Sequence, residues 1–118
     1  MTKYGNKKVE PSEAAITAAV MHHWRMNQLP NTLVASIPNM RAHGQHGLTK
    51  GLPDLLVITP GEVGFIELKK TGGKLSKHQE EFKMLCIKTG IRCAVTYGRD
   101  EPIQVLEHWG AVKKQVET

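Results

Sequence analysis

The sequence predicts a single α/β domain, a mixed central β-sheet flanked by helices in the order α-β-β-β-α-β-α. Three observations carry this. Apolar residues recur at three- and four-residue steps in three segments, the mark of amphipathic helices. Four short runs rich in β-branched and apolar residues alternate with them and read as strands. The chain has 118 residues, enough for one apolar core and too few for two ordinary domains.

Residues 1–10 read as a flexible basic arm carrying Lys3, Lys7 and Lys8, and residues 11–118 as the domain. From Ser12 to about Gln28, the residues Ile16, Ala19, Val20, His23 and Trp24 share one helical face, between Pro11 and Pro30. Glu13 lies one turn before Ile16 on that face, so its carboxylate is directed toward the sheet. Thr32–Ile37 is the first strand, closed by Pro38. The stretch from Pro38 to Pro53 then holds three glycines with Arg41 and Lys50. A loop this long in so small a domain is usually functional or disordered. Leu55–Thr59 and Gly64–Lys69 flank Pro60–Val63 as a β-hairpin. Ser76 to Lys88 is the second helix, with Phe82, Leu85 and Cys86 inward and Gly90 as its left-handed stop. Ile91–Tyr97 is the fourth strand, and Ile103, Leu106, Trp109 and Val112 mark a third helix that covers the sheet.

Composition narrows the function classes. A hydrophobic fraction of 40% and a charged fraction of 23% belong to a globular protein and exclude an open, disordered chain. Sixteen Lys and Arg against 11 Asp and Glu give a net charge of +5, which suits a polyanionic partner and also suits plain solubility. Position favours the partner, because Arg41, Lys50, Lys69, Lys70, Lys74 and Lys77 crowd the middle third. Cys86 and Cys93 form no CxxC and read as reduced core residues of a cytosolic protein. No stretch has the character of a signal peptide or a bilayer span, so the cytoplasm of a prokaryotic or virus-infected cell is the expected location.

The chemistry is concentrated in Gly51-Leu52-Pro53-Asp54 and Glu67-Leu68-Lys69. On a strand, Glu67 and Lys69 share one face while Ile66 and Leu68 share the other. A hairpin closing symmetrically around Pro60–Val63 sets Thr59 opposite Gly64, Leu56 opposite Glu67 and Asp54 opposite Lys69. Asp54 and Glu67 are then diagonal neighbours on one face, with backbones about 7–8 Å apart. A one-residue slip would separate them. Two carboxylates packed together repel, and a hard divalent cation such as Mg²⁺ or Mn²⁺ relieves that repulsion. Such an ion polarises a phosphoryl oxygen and lowers the pKa of water, while Lys69 adds a positive charge for the developing negative charge. Together these parts describe phosphodiester hydrolysis.

Asp54 after Pro53, followed across a hairpin by Glu67-Leu68-Lys69, resembles the signature of the PD-(D/E)xK nucleases. The fuller run resembles their VRR-NUC branch: Glu13, then Pro38-Asn39 with Arg41, GLPDLLV, GFIELKK, and Gly73-Lys74-Leu75-Ser76 leading to Gln79. The resemblance implies a restriction-endonuclease-like core and a metal held by Asp54, Glu67 and the Leu68 carbonyl. It implies Lys69 as catalytic lysine, with Gln79 and Glu13 as auxiliary site residues. It also implies DNA as substrate, and minimal stand-alone members resemble junction-cleaving enzymes, so Holliday-junction or other branched DNA cut by a homodimer is the expectation. Arg41, Lys50, Lys70, Lys74 and Lys77 would hold phosphates.

Several residues keep a second reading. Ser76-x-x-Gln79 is also a capping box, which accounts for Gln79 by helix geometry alone. Glu13 also suits a helix N-terminus, where negative charge is stabilising. His43, His46 and the His22-His23 pair lack the further ligands of a zinc site. Thr71-Gly72-Gly73-Lys74 lacks P-loop spacing and reads as a turn whose lysine touches nucleic-acid backbone. The competing functions are a nucleic-acid-binding module without turnover and a nuclease without structure preference.

Overall fold

A computed structural model describes residues 10–38 and 49–115. The order is α1 (Glu13–Asn27), β1 (Leu33–Ser36), β2 (Leu55–Thr59), β3 (Glu62–Lys69), α2 (Lys77–Thr89), β4 (Arg92–Tyr97) and α3 (Asp100–Trp109). The strands form one sheet in the order β1-β2-β3-β4. The first two pairings are antiparallel and β3 with β4 is parallel. A parallel pair needs a crossover, which α2 supplies. The sheet is thus mixed and flanked by helices.

Each helix begins and ends for a local reason. The Ser12 hydroxyl accepts from Ala15 N at the start of α1. Its far end is fixed by the Trp24 indole, which donates to Thr32 Oγ1 while the Thr32 hydroxyl donates to Leu29 O at 2.7 Å. Ser76 caps α2 and Gly90, at φ 77°, ends it in the left-handed region. Pro102 lies in the first turn of α3, where its missing N–H costs no helical bond. The helix can therefore start at Asp100, ahead of the proline. It ends at Trp109, so Val112 follows the helix and bridges to Gln28 at the end of α1.

Strand parity divides the side chains between two layers. Ile66 and Leu68 face α1 and α3, joining Ile16, Val20, Val34, Leu55, Val57, Leu106, Ala111 and Val112 in the core. Phe65, Glu67 and Lys69 face the other way, toward α2, and the Phe65 and Phe82 rings meet edge to face at 5.4 Å. Gly64 lets α3 close on the core side, because a Cβ there would stand 2.7 Å from the Trp109 ring.

Besides the place of Val112, four expectations from the sequence need correction. The hairpin loop is two residues, with Thr59 opposite Glu62 across Pro60-Gly61. Pro60 supplies the fixed φ of the first turn position and Gly61, at φ 79°, the positive φ of the second. The whole register therefore slips by two residues from the expected one, so parity survives while each residue's opposite number changes. Leu85 points outward and is 56% exposed, because Gln79, Phe82 and Cys86 already occupy the inward stripe of α2. Ile91 precedes β4 and is exposed rather than paired.

Candidate active site

The two-residue slip moves Asp54 from a diagonal position to one directly across from Glu67, by continuation of the ladder beyond Leu55 and Ile66. Asp54 precedes β2, and its Oδ2 accepts a 2.6 Å hydrogen bond from Leu68 N. The same continuation sets Pro53 across from Leu68. Along a strand a residue's N–H and C=O point to the same side. Proline has no N–H to give the Leu68 carbonyl. Asp54 takes up the Leu68 N–H that the strand no longer pairs, and the carbonyl stays directed to the same side. Pro53 thus explains how a backbone oxygen beside two carboxylates is left for another partner.

Glu67 is 5% exposed. Burial pushes its carboxyl up to about 8, and the Asp54 charge and hydrogen bonding with Asp54 add to that; Lys69 pulls it down and Glu13 adds a smaller push upward. Without a cation these surroundings favour the protonated form of Glu67. Lys69 is 9% exposed and its Nζ stands 3.9 Å from Glu67 Oε2. Gln79 Nε2 donates to the same Oε2 at 3.0 Å.

Gln79 fills both of its readings at once. Its Oε1 accepts from Ser76 N at 2.8 Å while Ser76 Oγ accepts from Gln79 N at 3.2 Å. A side-chain amide has an acceptor and a donor end, so capping leaves the NH₂ free for Glu67. The helix cap orients the residue that holds the carboxyl.

The structure thus brings Asp54, Glu67, Lys69 and Gln79 together. Glu13, the first residue of α1, is exposed and lies close enough to act on Glu67 through space, but no hydrogen bond or ion pair joins it to the four among the described residues. Lys50, Lys70, Lys74 and Lys77 are all exposed, on the segments that lead into Asp54, out of Lys69 and up to Gln79. Arg41 lies outside the described residues. Gly51 has a role that its place in the motif alone does not reveal. At φ 86°, a Cβ there would stand 2.5 Å from the His78 carbonyl, so only glycine lets the loop before Asp54 pack under the first turn of α2. The signal was present as a glycine two residues before the Pro-Asp pair. Cys86 and Cys93 are free, and burial with the neighbouring Cys86 thiol pushes Cys93 up to about 12, away from reactive thiolate.

No group of three or more His, Cys, Asp or Glu side chains among the described residues is placed to hold an ion. Two carboxylates and a backbone oxygen fit a cation that takes its remaining ligands from water and phosphate, as Mg²⁺ does. A carboxyl pushed toward protonation by burial and by a second carboxylate is the donor set that such a cation would relieve.

The VRR-NUC domain family model matches residues 6–100, and the chain belongs to that nuclease-related family. Two solved structures show the same fold. A "VRR_NUC domain protein" superposes with a TM-score of 0.73 at 20% identity, covering 86% of this chain and 90% of the other. A "VRR_NUC domain" superposes at 0.60 with 22% identity, covering 84% and 99%. Curated protein sequences gave no significant match. No helix among the described residues is long and apolar enough to cross a membrane.

The raised Glu67 carboxyl fixes a sign. Between pH 4.5 and 8 the folded chain binds more protons at Glu67 than the unfolded chain, so this group's contribution to stability falls as pH rises. A divalent cation favours the ionised form, so Mn²⁺ should raise Tm more at pH 8 than at pH 5. Glu67→Gln should flatten both dependences. Equal Mn²⁺ gains at the two pH values would contradict the assignment.

Proposed function

We propose that the chain is a metal-dependent endonuclease that hydrolyses DNA phosphodiester bonds, favouring branched DNA such as Holliday junctions and acting as a homodimer. The observation that carries the reading is the pairing of half-buried Asp54 with buried Glu67, with Lys69 and Gln79 on the same Glu67 oxygen. Asp54, Glu67 and the Leu68 carbonyl would hold Mg²⁺ or Mn²⁺. When bound, the cation polarises a phosphoryl oxygen and makes water more acidic.

The chain's own residues do the rest. Glu67 would release its proton to solvent on taking up the cation, and Gln79 holds its Oε2 in place. Asp54 is held by Leu68 N, so neither carboxylate must reorganise. Lys69, locked by burial, orients the attacking water and offsets the charge that gathers on the phosphoryl oxygens. Water oxygen bonds to phosphorus and one ester P–O bond breaks, leaving a phosphomonoester and a hydroxyl. Lys50, Lys70, Lys74 and Lys77 hold flanking phosphates, a contact that weakens with salt.

One site per chain requires two chains to cut two strands, and a two-fold dimer is the simplest arrangement. Strand pairing supports a contact surface for it. Leu33, Ile58 and Val63 stand in one cross-strand row on the α2 side of the sheet, each 37–45% exposed. A contiguous exposed apolar row suits an association surface. Solution mass should be that of a dimer, and Ile58→Glu should shift it to monomer with unchanged circular dichroism. A monomeric parent chain at micromolar concentration would contradict this part of the proposal.

Incubation with labelled four-way junction, flap and linear duplex, in Mg²⁺, Mn²⁺ or EDTA, tests the activity. The junction should be cut fastest, and only with metal. Asp54→Ala and Lys69→Ala should keep DNA binding and lose cutting by on the order of a hundredfold or more. Binding with no metal-dependent cleavage of any substrate would make the chain a binding module. Equal cutting of all three would remove the branch preference.

A further inference from the structure

Helix α2 carries apolar side chains on both of its faces. Gln79, Phe82 and Cys86 meet the sheet. Lys77, Glu80, Glu81, Met84, Leu85 and Lys88 recur at three- and four-residue steps on the opposite face and line an open groove of about 410 Å³. Met84 is 48% exposed and Leu85 56%, at the middle of a face that is otherwise charged.

Leu85 joins this groove to the apolar row of Leu33, Ile58 and Val63. The Gly51 backbone, which leads into β2, packs under the His78 carbonyl, so the His78 flank of α2 is the one that borders β2. Leu85 follows two turns later on that flank. It also lies one turn beyond Phe82, whose ring meets Phe65. Because α2 links the end of β3 to the start of parallel β4, it runs opposite to both strands, and Leu85 reaches the level of Val63 and Ile58. Row and helix form one apolar step, with the row as its floor and α2 as its wall.

Area and charge identify what fits the step. A stable interface covers about 800 Å² on each partner, more than the three half-exposed side chains of the row supply, and the outer face of α2 extends it. That face is acidic toward its start, at Glu80 and Glu81, and basic toward its end, at Lys88, with Met84 and Leu85 between. Turned end for end against its own copy about a two-fold axis passing Met84, it sets Glu80 opposite Lys88 of the second copy and Lys88 opposite Glu80. A parallel arrangement would bring like charges together. Glu81 Oε1 already stands 3.4 Å from His78 Nδ1 on its own helix, so Glu80 is the acid that pairs. Lys77 falls opposite Ile91, past the end of the second copy's helix, and stays available to phosphate.

Resting on the homodimer reading above, we propose that two copies associate through antiparallel α2 helices, each lying in the other's step against Leu33, Ile58 and Val63. Leu85 faces outward in one chain because it is covered in the pair. The second copy presses α2, and with it Gln79, toward Glu67 from outside. The two sites lie at opposite ends of the helix pair.

Sedimentation equilibrium in EDTA reads the association without cleavage. Leu85→Glu should turn a micromolar dimer into a monomer with unchanged circular dichroism, since the side chain is already exposed in the single chain. Lys88→Glu should weaken the dimer about tenfold, and Glu80→Lys added to it should recover most of that loss, because the two reversals restore opposite charges across the axis. Under mild oxidation Met84→Cys, beside the axis, should form a disulfide between copies. Thr89→Cys, about 15 Å from its counterpart, should not. The parent, with Cys86 buried, is the control. A dimer that survives Leu85→Glu, a doubly reversed chain no tighter than Lys88→Glu alone, or equal crosslinking of Met84→Cys and Thr89→Cys would overturn the proposal. A monomeric parent would end the homodimer reading and this surface with it, whereas a dimer that passes these tests and cuts no DNA would count against the nuclease reading alone.

Discussion

Burial of the Glu67 carboxyl against Asp54 is the constraint around which the rest of the domain is arranged. An ionised pair in that position is unstable without compensation, since Glu67 would lose its hydration while the two carboxylates repel each other. Burial and the neighbouring Asp54 push the Glu67 carboxyl toward its protonated form, and donors are arranged around the pair. Leu68 N fixes Asp54, Gln79 fixes Glu67, and Lys69 lies at 3.9 Å to favour ionisation once something draws the proton away. Removing the strain altogether would remove the reason for a cation to bind.

The fold positions this arrangement with few parts. The hairpin turn sets the β2–β3 register, and through it the meeting of Asp54 and Glu67. The opposite faces of β3 do different work: Ile66 and Leu68 anchor the strand in the core, and that anchorage holds Glu67 and Lys69 on the other face without freedom to withdraw. The α2 crossover brings Gln79 over the pair, and its approach depends on Gly51 having no side chain to meet His78. The proline and glycine of the motif are therefore as much part of the site's construction as the charged residues, one by withholding an N–H and the other by withholding a Cβ.

The elements were legible in the sequence because each carried a period or a terminator: Ser12 and Ser76 before helices, Gly90 after one, alternating faces on β3. The placing of Glu67 and Lys69 on one face followed from parity alone and survived a wrong register, because the error was two residues and not one. What remained hidden was nonlocal. Pro60-Gly61 as a two-residue turn competes in sequence with a four-residue loop, and the choice depends on how both strands pair with their outer neighbours. Leu85 looks inward by spacing, yet α2 is narrowly seated and only its stripe through Gln79 and Cys86 is covered. Gln79 carries its cap and site roles together because its amide oxygen caps α2 while its NH₂ reaches Glu67.

The direct measure of the account is the number of protons released when the site fills. Isothermal titration of Mn²⁺ into the chain at pH 7, repeated in buffers of different ionisation enthalpy, counts them. The account predicts release of about one proton per chain, and none from Glu67→Gln. Mn²⁺ binding with heats independent of buffer would mean that Glu67 is already ionised, and the central claim would fail.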